Sequence, residues 1–278
     1  MIVLIALCAV GRVGAHRISP MFMRHDVPPI AYLDAAKSPR FDCIGLIERS
    51  GALAGTCVLV GPSCALTDAH VVAGLRADEL SAKLNGEVLS VTEIKVHPDY
   101  EASRYKSAKE PISRKGIDLA LIYFKSKTAM PIAKIWERTV PLGSHVFLCG
   151  FGGAGNGTSL DAKTDAQKRC GTNIIDAIGG DFDGKIPDWY YVSDFDGTGF
   201  EAKNKCGSTL PTELECLGTG GDSGGGEFIE DQGNWYLVGL FSTARYFDID
   251  SKDASSYGDL FMCTRLDLQR EWIAANVR

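Results

Sequence analysis

Apolar and polar residues alternate along this chain in short blocks, broken every few residues by Gly, Pro, Asn or Ser. From Phe41 onward the blocks read as strands over 43–48, 56–60, 64–68, 87–96 and 118–124. In the second half they read as strands over 146–149, 174–178, 189–193, 227–229, 235–243 and 260–266. Short strands separated by turn residues predict an all-β barrel or sandwich. The final run, 266–277, changes period. Its apolar residues fall at 268, 272, 273 and 277, the spacing of a helix with one buried face. Residues 16–40 are polar, punctuated by proline and without a period, which predicts an extended segment wrapped along the rest of the fold. Residues 98–115, rich in Lys, Ser and Glu, read as a surface insertion opened by a strand-end turn at His97-Pro98.

The first ten residues form an apolar run, and Val13-Gly14-Ala15 supplies small residues suited to a signal peptidase, so 1–15 reads as a secretory signal. Ten apolar residues fall short of the about 20 that span a bilayer. Removing 1–15 takes Arg12 with it, leaves 263 residues and moves the formal charge from −6 to −7. A mildly acidic chain with no basic cluster gives no electrostatic reason to bind nucleic acid. Of nine cysteines, Cys8 leaves with the signal and Cys43, Cys57, Cys64, Cys149, Cys170, Cys206, Cys216 and Cys263 remain. An even count in an exported chain predicts disulfides, in any of 105 connectivities; the alternative is free buried thiols packing as small hydrophobes. No C-x-x-C pair suggests zinc.

The densest chemistry lies at Gly221-Asp222-Ser223-Gly224-Gly225. A serine flanked by glycines sits where side chains are excluded, so backbone N–H groups can converge beside its hydroxyl, as in an oxyanion hole. Upstream, His70 ends an apolar strand in Leu66-Thr67-Asp68-Ala69-His70, and Asp118 stands at the mouth of another in Ile117-Asp118-Leu119-Ala120-Leu121. A serine hydroxyl is a weak nucleophile until a base takes its proton; imidazole titrates near neutrality, and a carboxylate fixes its tautomer. Gly221-x-Ser223-x-Gly225 also fits a nucleophile elbow, but that arrangement needs a histidine after the serine. All five histidines precede Ser223. An order with the acid first would need Asp34 or Asp42, whose surroundings carry no matching signature.

The segments T-D-A-H at 67–70, D-L-A-L at 118–121 and G-D-S-G-G at 221–225 resemble the three signatures of trypsin-like (chymotrypsin-fold, S1-type) serine proteases, over roughly 41–278. Arg24-His25-Asp26 and the stretch 168–173 more loosely resemble bacterial-type members. The resemblance implies two six-stranded antiparallel β-barrels, about 41–135 and 140–266, followed by a C-terminal helix. It also implies a catalytic set of His70, Asp118 and Ser223, an oxyanion hole from the N–H groups of Gly221 and Ser223, and a substrate pocket touching Leu217, Ser242 and Ala244. With Leu217 and no acid at the pocket base, Lys or Arg side chains are not preferred, and Phe261 pointing inward would favour small ones.

Two departures matter. The family's cysteine after the histidine is Val71 here, and no I-V-G-G-like activation site precedes Gly55. The resemblance implies that Asp222 is buried against a positive group; Arg24, His25 or a trimmed amino terminus are the candidates, and activity without an activating cleavage is expected. Two further motifs are read as decoys. Gly150-Phe-Gly152-Gly-Ala-Gly155 matches a dinucleotide fingerprint, but no periodic helix follows it; the resemblance makes it the turn opening the second barrel. Asp181-Phe-Asp-Gly184 and Asp194-Phe-Asp-Gly197 lack the ligand spacing of a calcium loop and read as solvated turns. The chain is therefore expected to be a secreted or periplasmic monomeric endopeptidase acting on protein or peptide, with no cofactor, metal, nucleic-acid or membrane partner. The alternatives are a catalytically silent homologue that binds, or an esterase.

Overall fold

In a computed structural model the described residues are 21–101, 116–158, 162–182, 184–247 and 255–278. The expected signal at 1–15 and most of the expected insertion, 102–115, lie outside them. The first half is built from β2 (Ile44–Arg49), β3 (Ala52–Gly61), β4 (Cys64–Thr67), β5 (Leu80–Leu84), β6 (Glu87–Val96) and β7 (Ala120–Phe124). These close into a barrel in the order β2-β3-β4-β7-β6-β5. Alternation explains the closure: Leu80, Ala82 and Leu84 of β5 point inward with Leu89 and Val91 of β6, while Val88, Ser90 and Thr92 face out. Strands β4 and β7 are buried along their whole lengths, because the second half covers the barrel on that side.

Ahead of the barrel lie β1 (Met21–Met23) and a helix, α1 (Pro29–Ala35). The expectation of an extended segment is corrected here. Proline was read as a breaker, but at the first turn of a helix its missing N–H costs nothing and its φ is already helical. Tyr32 anchors α1 by donating its buried hydroxyl to the Glu215 carbonyl at 2.9 Å.

The second half contributes β8 (Lys134–Ile135), β9 (His145–Gly150), β10 (Ala154–Asn156), β11 (Ala162–Lys163), β12 (Arg169–Ile174), β13 (Ala177–Ile178), β14 (Tyr190–Asp194), β15 (Cys216–Leu217), β16 (Gly226–Asp231), β17 (Asn234–Arg245) and β18 (Leu260–Arg265). Seven of them curl in the order β12-β9-β16-β17-β18-β14-β13, with β8 parallel to β17. A small sheet, β11-β10-β1-β15, ties the N-terminal strand to this half. The expected strand at 174–178 is displaced: pairing with β9 runs over β12, Arg169 to Ile174. The closing helix forms later than the 266–277 expected, as α4 (Arg270–Asn276). Its buried Ile273 and partly buried Trp272 pack on the first barrel's core. Buried His97 stacks its ring 4.9 Å from Trp272, as suits a turn residue. The all-β double-barrel class with a C-terminal helix is thus what the chain adopts, one half a closed six-stranded barrel and the other a curled half-barrel sheet.

The expected disulfides are not formed. All eight cysteines from Cys43 onward are free thiols, and every one but Cys206 is buried. The buried ones pack as small hydrophobes, Cys149 and Cys170 as cross-strand neighbours, and burial pushes Cys43 and Cys57 up to about 12. Among the described residues no helix is long and apolar enough to cross a membrane.

Candidate active site

His70 sits on α2 (Ala69–Val72), a single turn that follows β4 directly. Asp118 lies two residues ahead of β7, the strand paired with β4, so the sheet register delivers the carboxylate to the imidazole. Asp118 is wholly buried; its Oδ1 accepts the His70 backbone N–H at 2.9 Å, and its Oδ2 lies 2.7 Å from His70 Nδ1. A carboxylate only accepts, so Nδ1 carries the proton and Nε2 is the acceptor of the neutral ring. Ser223 Oγ is 3.0 Å from that Nε2 and therefore donates to it. The three expected residues are brought together.

The turn carrying Ser223 needs its glycines. Gly221 has φ +91° and Gly224 φ +82°, in the left-handed region that a Cβ disfavours. A Cβ at Gly224 would also collide with the Thr56 carbonyl and the Thr67 hydroxyl. Thr56, from the first barrel, fastens the turn twice: its N–H donates to the Ser223 carbonyl at 2.8 Å and its hydroxyl to the Gly221 carbonyl at 3.0 Å. The same hydroxyl accepts the Phe151 N–H at 3.0 Å. Among the described residues the N–H groups of Gly221 and Ser223 donate to nothing within the chain, which leaves both for an anionic oxygen.

Asp222 is fully buried, and its partner is not the one expected. Arg24 forks onto Asp26 at 2.8 and 2.6 Å, and His25 Nδ1 bonds the Tyr257 hydroxyl at 2.8 Å. Instead the carboxylate accepts N–H groups from Gly152 at 2.8 Å and from Thr219 at 3.2 Å. Burial lifts it to about 7, opposed by these two N–H donors and by the positive charge of Arg169. Arg169 is itself buried and held by Asp165 at 2.8 and 2.6 Å. The glycine run at 150–155 thereby finds its use. A Cβ at Gly152 would lie 2.5 Å from Asp222 Cγ, and one at Gly150 would strike the same carboxylate. No helix follows; β10 does.

Two further groups, Asp68 and Glu227, and one further role, that of Ser242, escaped the sequence reading. Ser242, expected in the substrate pocket, does line it, but its hydroxyl donates to Asp118 Oδ2 at 2.8 Å. Asp68, wholly buried, places Oδ2 3.7 Å from His70 Nδ1 and accepts the Gly224 N–H at 2.9 Å, adding a second carboxylate beside the ring. Its position next to His70 was the available signal. Glu227 of β16 is buried facing the Cys263 thiol and is pushed up to about 8 by desolvation, which that thiol opposes.

A cleft of about 230 Å³ opens beside Ser223, walled by Thr219, Gly220, Phe241, Ala244 and Tyr246. No acid lines it. Leu217 is outside that lining; it pairs with Phe22 of β1 and is buried with Phe241 and Phe261 beneath the wall. The acidic turn at 194–197 is not solvated as expected. Asp194 is 0% and Asp196 6% exposed. Residue 183 and the Asp181 side chain, in the other such turn, lie outside the described set. Donor atoms of Asp68, His70 and Asp118 lie within 4.8 Å of one another, yet hydrogen bonds within the site already engage all three.

The family model described as Trypsin matches residues 33–178, just over half of the chain, a span that holds His70 and Asp118 and stops short of Ser223. Among solved structures, neuropsin, a serine protease expressed in the limbic system of mouse brain, superposes with a TM-score of 0.59 at 17% identity, over 85% of this chain and 95% of that one. At that identity the likeness concerns the fold. No curated protein matches the sequence.

Proposed function

Since this chain belongs to the trypsin family and is a serine-type endopeptidase, we propose that it is exported and cuts peptide bonds through His70, Asp118 and Ser223 by way of an acyl-enzyme. The observation that carries this is the unbroken hydrogen-bond line from Asp118 Oδ2 through the imidazole to Ser223 Oγ, at 2.7 and 3.0 Å. Ser223 Oγ attacks the peptide carbonyl as its proton passes to His70 Nε2, and buried Asp118 stabilises the imidazolium. The carbonyl oxygen becomes an anion and takes the N–H groups of Gly221 and Ser223, each such donor being worth on the order of 10²–10³ in turnover. Collapse expels the amine with the proton returned by His70, leaving an ester on Ser223. Water, deprotonated by the same nitrogen, then releases the acid and restores the serine.

The absence of an acid among the described residues that line the cleft supports a preference for uncharged side chains, set by Phe241, Ala244 and Tyr246. The bonding of Asp222 to Gly152, Thr219 and the field of Arg169 supports activity without release of a new amino terminus. Every group invoked comes from one chain, so a monomer suffices. The apolar run at 1–10 supports a secreted or periplasmic location. A fluorophosphonate probe should label the wild type and fail on Ser223→Ala and His70→Ala. Labelling that survives Ser223→Ala would overturn the assignment.

A further inference from the structure

The buried acidic turn plays no part in the chemistry above. Asp194, at the end of β14, and Asp176, between β12 and β13, meet Cys206 of the following loop, with one donor atom from each within 4.8 Å of the others. Asp194 Oδ2 accepts the Lys205 N–H at 2.7 Å and the Cys206 N–H at 3.4 Å, while its buried Oδ1 accepts no hydrogen bond. Asp176 is braced by N–H donors from Asp194 and Ser208, both at 3.2 Å. Gly207 of the same loop, at φ +65°, has no room for a Cβ beside the Asp176 carboxylate. Among the described residues no lysine or arginine pairs with Asp176, Asp194 or Asp196. Buried carboxylates without a cation are costly.

We propose that Asp176, Asp194 and Cys206 form a structural site for a divalent zinc-class cation. The thiol decides the class. Zinc takes thiolate and carboxylate donors in a four-coordinate set that water can complete, whereas calcium requires six to eight oxygens. Binding exchanges the Cys206 S–H bond for a sulfur–metal bond and releases the proton to solvent. Asp176 and Cys206 are partly exposed, which gives the ion an entry path. Asn173 Nδ2 donates to the carbonyls of Asp194 and Cys216 at 2.9 and 3.1 Å, so the ion would brace the strand leading into the Ser223 turn. Spacing along the chain could not reveal the site, because its donors are separated by 18 and 12 positions and share no motif.

The test is titration of the full, chelator-stripped protein with Co²⁺, followed by displacement with Zn²⁺. One equivalent of Co²⁺ should give a near-ultraviolet thiolate-to-cobalt band that Zn²⁺ abolishes. Cys206→Ser should remove the band, and Cys206→Ser and Asp176→Asn should each weaken zinc binding at least about tenfold. Circular dichroism checks that each variant folds; if neither does, the wild-type titration still decides, since no band overturns the proposal. A band that survives Cys206→Ser, or one that fades only in His70→Ala, overturns it, as does displacement by Ca²⁺ as effective as by Zn²⁺. None of these readouts depends on protease activity.

Discussion

Gly152→Ala tests how Asp222 is held. The new Cβ would stand 2.5 Å from Asp222 Cγ, so the carboxylate must move and the 2.8 Å bond from the Gly152 N–H is lost or stretched. A hydrogen bond to a charged group contributes about 1.5–3 kcal/mol, and overpacking adds about 1–3 kcal/mol. A total near 3 kcal/mol lowers Tm by roughly 6–12 °C for a chain of this size. Activity suffers as well, since Asp222 lies between the two oxyanion donors: kcat should fall at least about tenfold with KM little changed. The deficit also carries a pH signature. Burial raises Asp222 to about 7 in the folded protein, so its contribution is complete below the unfolded carboxylate range and is lost as pH rises through 7. The Gly152 N–H favours the ionised form, so its loss should cost more at pH 8 than at pH 5. Calorimetry at both pH values with steady-state kinetics decides the matter. A Tm within about 2 °C of wild type, or a deficit equal at both pH values, would refute the reasoning.

Ser242→Ala removes one of the bonds to Asp118 Oδ2 and leaves both from His70; kcat/KM on a chromogenic substrate should fall about tenfold, equivalent to 1.4 kcal/mol, and no change would deny Ser242 a positioning role. Glu227, faced by the Cys263 thiol and raised to about 8, should lend the folded state stability that is lost as pH rises through 8. Glu227→Gln should abolish that component, on the order of 1.4 kcal/mol between pH 6 and pH 7 and levelling off above pH 8, in urea titrations at each pH. A peptide library should return apolar or small residues at the cleaved bond ahead of Lys and Arg, and a basic preference would contradict the acid-free lining of the cleft.

The sequence made some parts of this molecule legible and hid others for physical reasons. His70, Asp118 and Ser223 stood out because each lies in a stretch whose neighbours are constrained too: strand ends for the first two, left-handed glycines for the third. Strand β5 was missed because Ser81 and Lys83 face outward between its three buried residues and shorten the pattern below notice. Helix α1 was hidden by Pro28-Pro29, residues that break a helix within but begin one well. The partner of Asp222 was unreadable because backbone N–H groups supply it, and main-chain donors carry no residue signature. Asp194 and Asp196 looked solvated because acids in turns usually are; only the return of the loop at 204–208 encloses them.

The double fastening of the Ser223 turn by Thr56 bears on when the molecule becomes dangerous to itself. Thr56 lies on β3 of one half and the serine in the other, so the turn is complete only when the halves have docked. On the reading proposed above, Ser223 is not held in its working position until those two bonds form. Neighbouring copies that are still unfolded, and hence readily cut, therefore meet few armed molecules. The safety catch is topological: it resides in contacts between the halves and not in either one.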